Sequence, residues 1–304
     1  MAGEIRIFEV SPRDGLQAEA VSLDVAARVR IIEGLIEAGL TDIEVGSFVR
    51  EDLVPQLART EEVVASLRSR PKLAGKARLW AFVPNDKGMD KAIDAGVDGV
   101  GLFVAASETF CRKNVNRTQK ELLDAMEPLL KRARRAKMKA RVYVSTIVHC
   151  PYEGTVEPKS VAKLVDTLVE MGANSISLGD TTGHGTPLSV RKVLEKVLKK
   201  HSPARFALHL HDTRGTALAN VLEGMQHGIK VFDSSAGGTG GCPYAPGAAG
   251  NLATEDLLYM LQGMGTSRSV SLEKVASVSR FISKELGKGL PSKTFQALVA
   301  QGVV

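Results

Sequence analysis

The sequence predicts an α/β fold, a (β/α)8 TIM barrel with additional C-terminal helices. Three observations predict it: eight short apolar or β-branched runs, amphipathic segments between them, and glycines that close several of those segments just before the next run. The runs cover residues 5–10, 42–46, 78–83, 99–103, 140–147, 175–178, 205–210 and 231–234. Helical periodicity lies between them, most clearly over 24–38, 118–137 and 158–171. This alternation marks repeated β-α units around a parallel sheet. Gly39, Gly96 and Gly172 follow Glu-Ala, Asp-Ala and Glu-Met, the position after a helix C-terminus where the backbone turns left-handed. A doubly wound open sheet shares the alternation, but no Gly-x-Gly-x-x-Gly opens the first helix, and eight units close a barrel. The barrel is expected over about 4–263, with residues 264–304 adding helices over 272–286 and 292–301 within one domain.

Composition narrows the function classes. The 304 residues are 44% hydrophobic and 24% charged, an ordinary globular balance, and a single barrel uses about 250 residues. Forty Lys and Arg against 34 Asp and Glu give a net charge of +6, yet the basic residues are dispersed. The basic run 131–139 shares a helix with apolar Leu129, Leu130, Ala133 and Ala136 and reads as a solvated face, so no nucleic-acid partner is expected. Cys111, Cys150 and Cys242 are odd in number and widely spaced, forming neither a disulfide framework nor a Cys-x-x-Cys knuckle. That fits a reducing compartment. Charged Glu4, Arg6 and Glu9 interrupt the first apolar run, and no stretch approaches about 18 uncharged apolar residues, so a cytoplasmic chain with no membrane partner is expected.

In such a barrel the chemistry sits where strands end and βα loops begin. The first strand runs into Ser11-Pro12-Arg13-Asp14-Gly15, the second holds Glu44, the sixth leads to Asp180, and the seventh ends in His209-Leu210-His211-Asp212. His209 and His211 stand two apart on a strand, so both side chains point the same way, as two metal ligands from one strand must. Beside the Arg-Asp of a neighbouring strand end they predict a divalent-metal site. Its mixed nitrogen and oxygen donors, with no thiolate, favour Mg2+ or Mn2+. Glu44 and Asp180 are read as groups orienting Arg13 or the metal ligands, with a structural hydrogen-bond acceptor as the alternative. Lys113, Asn114 and Asn116, after the fourth strand, are candidate contacts for an anionic cofactor handle.

Five segments carry a resemblance to a known family: F-E-V-S-P-R-D-G-L-Q-A-E (8–19), C-P-Y-E-G (150–154), L-G-D-T-T-G (178–183), L-H-L-H-D-T-R-G (208–215) and G-G-C-P-Y-A-P-G-A-A-G-N-L-A-T-E-D-L (240–257). They resemble hydroxymethylglutaryl-CoA lyase. The Arg-Asp-Gly and His-x-His elements alone indicate the wider group of metal-dependent barrel lyases and synthases, isopropylmalate synthase among them; the G-G-C-P-Y loop narrows the resemblance to the lyase. It implies that Asp14, His209, His211 and Asn251 ligate the metal, that Arg13 contacts the thioester, and that Cys242 is the active-site thiol. The implied substrate is an acyl-CoA, the implied reaction a retro-Claisen cleavage, and the implied assembly a homodimer. Asp14 and His209 both stand as candidates for the base that takes the hydroxyl proton.

The sequence departs from the family pattern in two places. Ala18-Glu19-Ala20 stands where Asn-Glu-Lys is familiar, and S-A-G-G-T-G-G-C (235–242) stands where S-V-A-G-L-G-G-C is usual. Neither replaces an implied ligand. They leave open a larger 3-alkyl group on the substrate, or another 3-hydroxyacyl-CoA, and less readily a condensing synthase.

Overall fold

The computed structural model describes residues 4–241, 250–267 and 269–304. The barrel strands are β1 (Arg6–Glu9), β2 (Asp42–Ser47), β3 (Arg78–Phe82), β4 (Gly99–Ala105), β5 (Lys139–Ser145), β8 (Ser175–Asp180), β9 (Phe206–Leu210) and β10 (Val231–Ser234). A two-stranded antiparallel hairpin, β6 (His149–Cys150) and β7 (Gly154–Thr155), rises from the loop after β5. The eight barrel strands are parallel and closed in the order β1-β10-β9-β8-β5-β4-β3-β2, with Glu9 meeting Ile43 at the closure.

Helices follow the strands: α1 (Val25–Glu37), α2 (Thr60–Arg68), α3 (Asp86–Ala95), α4 (Glu108–Val115), α5 (Gln119–Arg135), α6 (Pro158–Glu170), α7 (Pro187–Val197), α8 (Ala217–Gln226) and α9 (Thr254–Gly263). Two more, α10 (Leu272–Leu286) and α11 (Lys293–Ala300), pack against the outer ring, α10 on α1 and α11 on α9. Local chemistry sets the ends. The Asp24 carboxylate accepts from the Ala27 amide at 2.7 Å to start α1, and Thr118 with Glu121 forms a reciprocal cap on α5. Gly39, Gly96 and Gly172 all have positive φ, as their positions required. On α6 the stripe Val161, Leu164, Val165 and Leu168 is buried against the barrel, leaving the other face to water.

Two features position the site. At its C-terminal end β1 stops short of the expected 5–10 run, because the chain winds into a wide helical turn, Ser11–Gly15, where the Arg13 and Gly15 amides both donate to the Val10 carbonyl. That turn carries Arg13 and Asp14 over the barrel mouth. At the opposite end, Phe8 and Trp80 meet edge to face at 5.2 Å and plug the interior. Among the described residues no helix is long and apolar enough to cross a membrane.

Candidate metal centre

Asp14, His209 and His211 converge at the C-terminal end of the strands, each offering a ligand atom within 4.8 Å of the others. His209 belongs to β9; His211 lies just past its end and is held by a bridge to Asn251. The two Nε2 atoms face each other at 3.3 Å, and the nearer Asp14 oxygen stands 3.8 Å from His209 Nε2. His209 Nδ1 lies 3.2 Å from the Asp233 carboxylate. With its proton on Nδ1, donated to Asp233, the ring turns the Nε2 lone pair toward the cluster.

Burial lowers the His211 pKa to about 4, with His209 adding to the effect, so this imidazole is neutral at neutral pH. Burial pushes the Asp14 carboxyl upward, but Arg13 and then the two histidines outweigh it and hold Asp14 well below the usual carboxylate range. Electron-rich nitrogen and an ionised oxygen therefore meet at one point with no thiolate, a donor set suited to a hard divalent cation. Asn251 donates from Nδ2 to Asp14 at 2.8 Å and to the Thr239 carbonyl at 3.1 Å. In that assignment the nitrogen faces Asp14, and the carbonyl oxygen reaches the cluster only if the amide is flipped.

Arg13 is 8% exposed. Its Nε donates to Glu44 Oε2 at 2.6 Å, its Nη1 donates to Asp14, and Phe82 and Tyr143 flank its plane. Desolvation opposes the Arg13 charge, yet Glu44 and Asp14 more than restore it. Glu44, fully buried in β2, thus fixes the guanidinium direction. Asp180 is spent differently: its oxygens accept from the His184 amide at 3.2 Å and the Gly185 amide at 2.7 Å, and burial raises its pKa to about 6. It shapes the loop after β8 and reaches the histidines only through the field.

Lys113 and Asn114 lie on α4 and Asn116 is its left-handed C-cap, all on the exposed side of the segment after β4. Cys242 lies outside the described residues. Cys111 and Cys150 are buried free thiols, and burial pushes Cys111 up to about 11. The glycine-rich stretch ahead of Cys242 has a clear geometric reason at Gly240: φ is +102°, and a Cβ there would stand 2.6 Å from Asn251 Nδ2 and 3.2 Å from the Asp14 carbonyl. Thr239, a departure from the family pattern, is buried, its hydroxyl bonded to Ser235 at 2.6 Å and its carbonyl to Asn251. It therefore seats the loop.

Sequence reasoning passed over Asp233, Arg141, Glu9 and Glu255. Asp233 holds His209, accepts from Ser177 at 2.9 Å and pairs with Arg141, and Arg141 and His209 keep its pKa low against the burial that would raise it. Glu9 accepts from the Ser11 and Ala236 amides and the Thr254 hydroxyl; Glu255 accepts from the Gly237 amide and Ser279. Together they anchor both loops that form the site. A charged residue on the inward face of an apolar strand was the signal available, in Arg141 of β5 and Asp233 of β10.

With that geometry established, the similarity to known proteins is decisive. The sequence pattern of the family described as HMGL-like matches residues 4–282. The chain belongs to the HMGL-like family. It is 43% identical over 298 residues, 98% of each chain, to a Pseudomonas aeruginosa protein named 3-hydroxy-3-isohexenylglutaryl-CoA/hydroxy-methylglutaryl-CoA lyase. A crystal structure of hydroxymethylglutaryl-CoA lyase from Pseudomonas aeruginosa superposes with a TM-score of 0.95 at 42% identity, covering 99% of both chains. A lyase from Acenitobacter baumannii, solved with coenzyme A and 3-methylmalate, gives 0.90 at 33% identity, covering 98% of this HMGL-like chain and 95% of that one.

Proposed function

We propose that this chain is a divalent-metal-dependent carbon–carbon lyase that cleaves 3-hydroxy-3-methylglutaryl-CoA to acetyl-CoA and acetoacetate. The observation that carries the reading is the convergence of Asp14, His209 and His211 beside a buried Arg13, in a chain 43% identical to a lyase named for that substrate. A bound Mg2+ or Mn2+, held by Asp14, His209, His211 and Asn251, would supply Lewis acidity at the tertiary hydroxyl.

The chain's own residues then divide the work. A base removes the hydroxyl proton, the C2–C3 bond breaks, and its electron pair leaves on C2 as the enolate of acetyl-CoA. Asp14 and His209 are the candidates for that base, and because His209 turns its Nδ1–H to Asp233 it can take the proton only at an Nε2 that is not holding the metal. Asp233, 3.2 Å from Nδ1, holds the His209 ring in place. Arg13, aimed by Glu44, meets the enolate oxygen, a charge that grows only toward the transition state. Cys242 returns a proton to C2. The acyl-CoA ligand is supported by the coenzyme A in the Acenitobacter baumannii relative; for Lys113, Asn114 and Asn116 the support is their exposed cation and amide groups. A cytoplasmic homodimer completes the reading, the compartment supported by two free buried cysteines. Sedimentation at a monomer's mass would remove the dimer.

A second reading has its own observation. The Pseudomonas aeruginosa relative is named for a 3-isohexenyl as well as a 3-methyl substrate, so a larger 3-alkyl group is the alternative. One assay tests both: purified protein with Mg2+ or Mn2+ and a panel of 3-alkyl-3-hydroxyglutaryl-CoA thioesters, followed by acetyl-CoA release. Cleavage of the methyl member is expected; no cleavage of any member by folded, metal-loaded protein sinks the lyase reading.

A further inference from the structure

We propose that the N-terminal end of the barrel, opposite the metal centre, holds a binding site for a multivalent oxyanion of the polyphosphate class. A cavity of about 520 Å³ opens there, the size of a small-ligand site. Seven cationic side chains line it against one carboxylate, Asp42. Asp42 is taken by Arg78, and Arg141 is paired with Asp233 below the floor. Arg6, Arg134, Lys137, Lys139 and Arg205 have no carboxylate partner among the described residues. They come from five separate places: the start of β1, the end of α5, the turn after it, the start of β5 and the turn before β9.

Two details make this a built site rather than a solvated rim. Arg205 is fixed by donation from Nη1 to the Ala173 carbonyl at 2.9 Å, and Gly172 makes room for Arg134, since a Cβ there would lie 2.5 Å from its Nη2. The cavity floor is Arg141, 1% exposed and stacked over Phe8 at 4.0 Å, whose Nε and Nη1 have no hydrogen-bond partner among the described residues. Buried guanidinium donors are normally satisfied, and an oxyanion is the acceptor that would satisfy these while offsetting the rim charges. Phosphate oxygens fit the planar guanidinium forks and the two lysine ammoniums together. The Phe8–Trp80 pair lies between the cavity and the catalytic mouth, and Arg141 links the two through Asp233, which holds His209.

The test is calorimetric titration of the full, metal-free chain with inorganic tripolyphosphate and, in a second arm, with ATP. Saturable binding at one site per chain is expected. Equal affinity in the two arms marks recognition of the phosphates alone; tighter ATP binding marks a nucleotide as the source, and both support the site. The Arg6→Gln/Lys139→Gln pair should weaken binding about tenfold or more, whereas Lys120→Gln/Lys131→Gln, which removes equal charge from the exposed face of α5, should change it by less than about twofold. Arg134→Gln provides an independent lesion of the same rim. Absence of saturable binding, or equal weakening in the two double variants, would overturn the proposal.

Discussion

At the C-terminal end of the strands Arg13 is gripped by Glu44 and Asp14, and Asp233 by Arg141 and His209; at the N-terminal end Arg6, Arg134, Lys137 and Lys139 share a mouth with no carboxylate of their own. The contrast follows from solvent. A buried charge must be compensated within the protein, so the reacting end is built of interlocked pairs whose geometry is fixed before substrate arrives. Exposed cations are screened by water and cost little to leave unpaired. Deleting one partner should therefore be severe at the first end and mild at the second.

The largest expected effect is His211→Ala, which removes one of two facing imidazoles. Metal affinity should fall by more than about a hundredfold, and turnover with it. Metal content after dialysis reads the first and acetyl-CoA release the second; retained metal would break the assignment of this cluster. Cys242→Ser is the contrasting lesion. It should keep the metal while losing about 10²–10⁴ in turnover, the scale of one proton-transfer group.

Arg13→Gln comes next, with a fall in kcat of about 10²–10³ at nearly unchanged metal content. It also strands Glu44 in the interior, so thermal stability should drop, by about 3 kcal/mol if Glu44 stays ionised. Burial already raises the Glu44 pKa against Arg13, so the carboxyl will take up a proton and the loss should be smaller at low pH. Unchanged kcat would remove Arg13 from the reaction.

Asp233→Asn is gentler. The His209 ring loses the carboxylate at its Nδ1, and metal affinity should fall about 10–100-fold. Comparison with Lys139→Gln, whose turnover should match the wild type, sharpens the contrast between the ends. Equal losses in the two variants would abolish it.

How far these ends were readable in the sequence differs in the same way. The eight strands announced themselves because apolar alternation is local, and His209 and His211 because a two-residue spacing on a strand fixes a shared face. Asp233 was missed because its partner Arg141 is 92 residues away, and a lone acid in Val-Phe-Asp-Ser has no local sign of that partner. The β6–β7 hairpin and α4 were missed because short polar elements carry too little periodicity. The basic run 131–139 was read as a solvated face. Much of it is exposed, yet barrel closure gathers its Arg134, Lys137 and Lys139 with Arg6 and Arg205, which sequence distance conceals.

The smallest expected effect is on stability alone, at a carboxyl of the reacting end that has no cation. Glu255 accepts from the Gly237 amide and Ser279, and burial raises its pKa from 4.5 to about 7. Because the folded pKa lies above the unfolded one, the folded state holds the proton more tightly. The penalty for ionising this group is absent below about pH 4.5, grows through the interval, and is complete above about pH 7. Glu255→Gln retains an oxygen for the Gly237 amide and an amide donor for Ser279, but cannot ionise. In metal-free protein, which excludes the pH dependence of metal binding, wild-type Tm should fall by a few degrees relative to this variant between pH 4.5 and 8. Parallel melting curves across that range would show that Glu255 is held ionised, and its burial would then need a cationic partner to account for it.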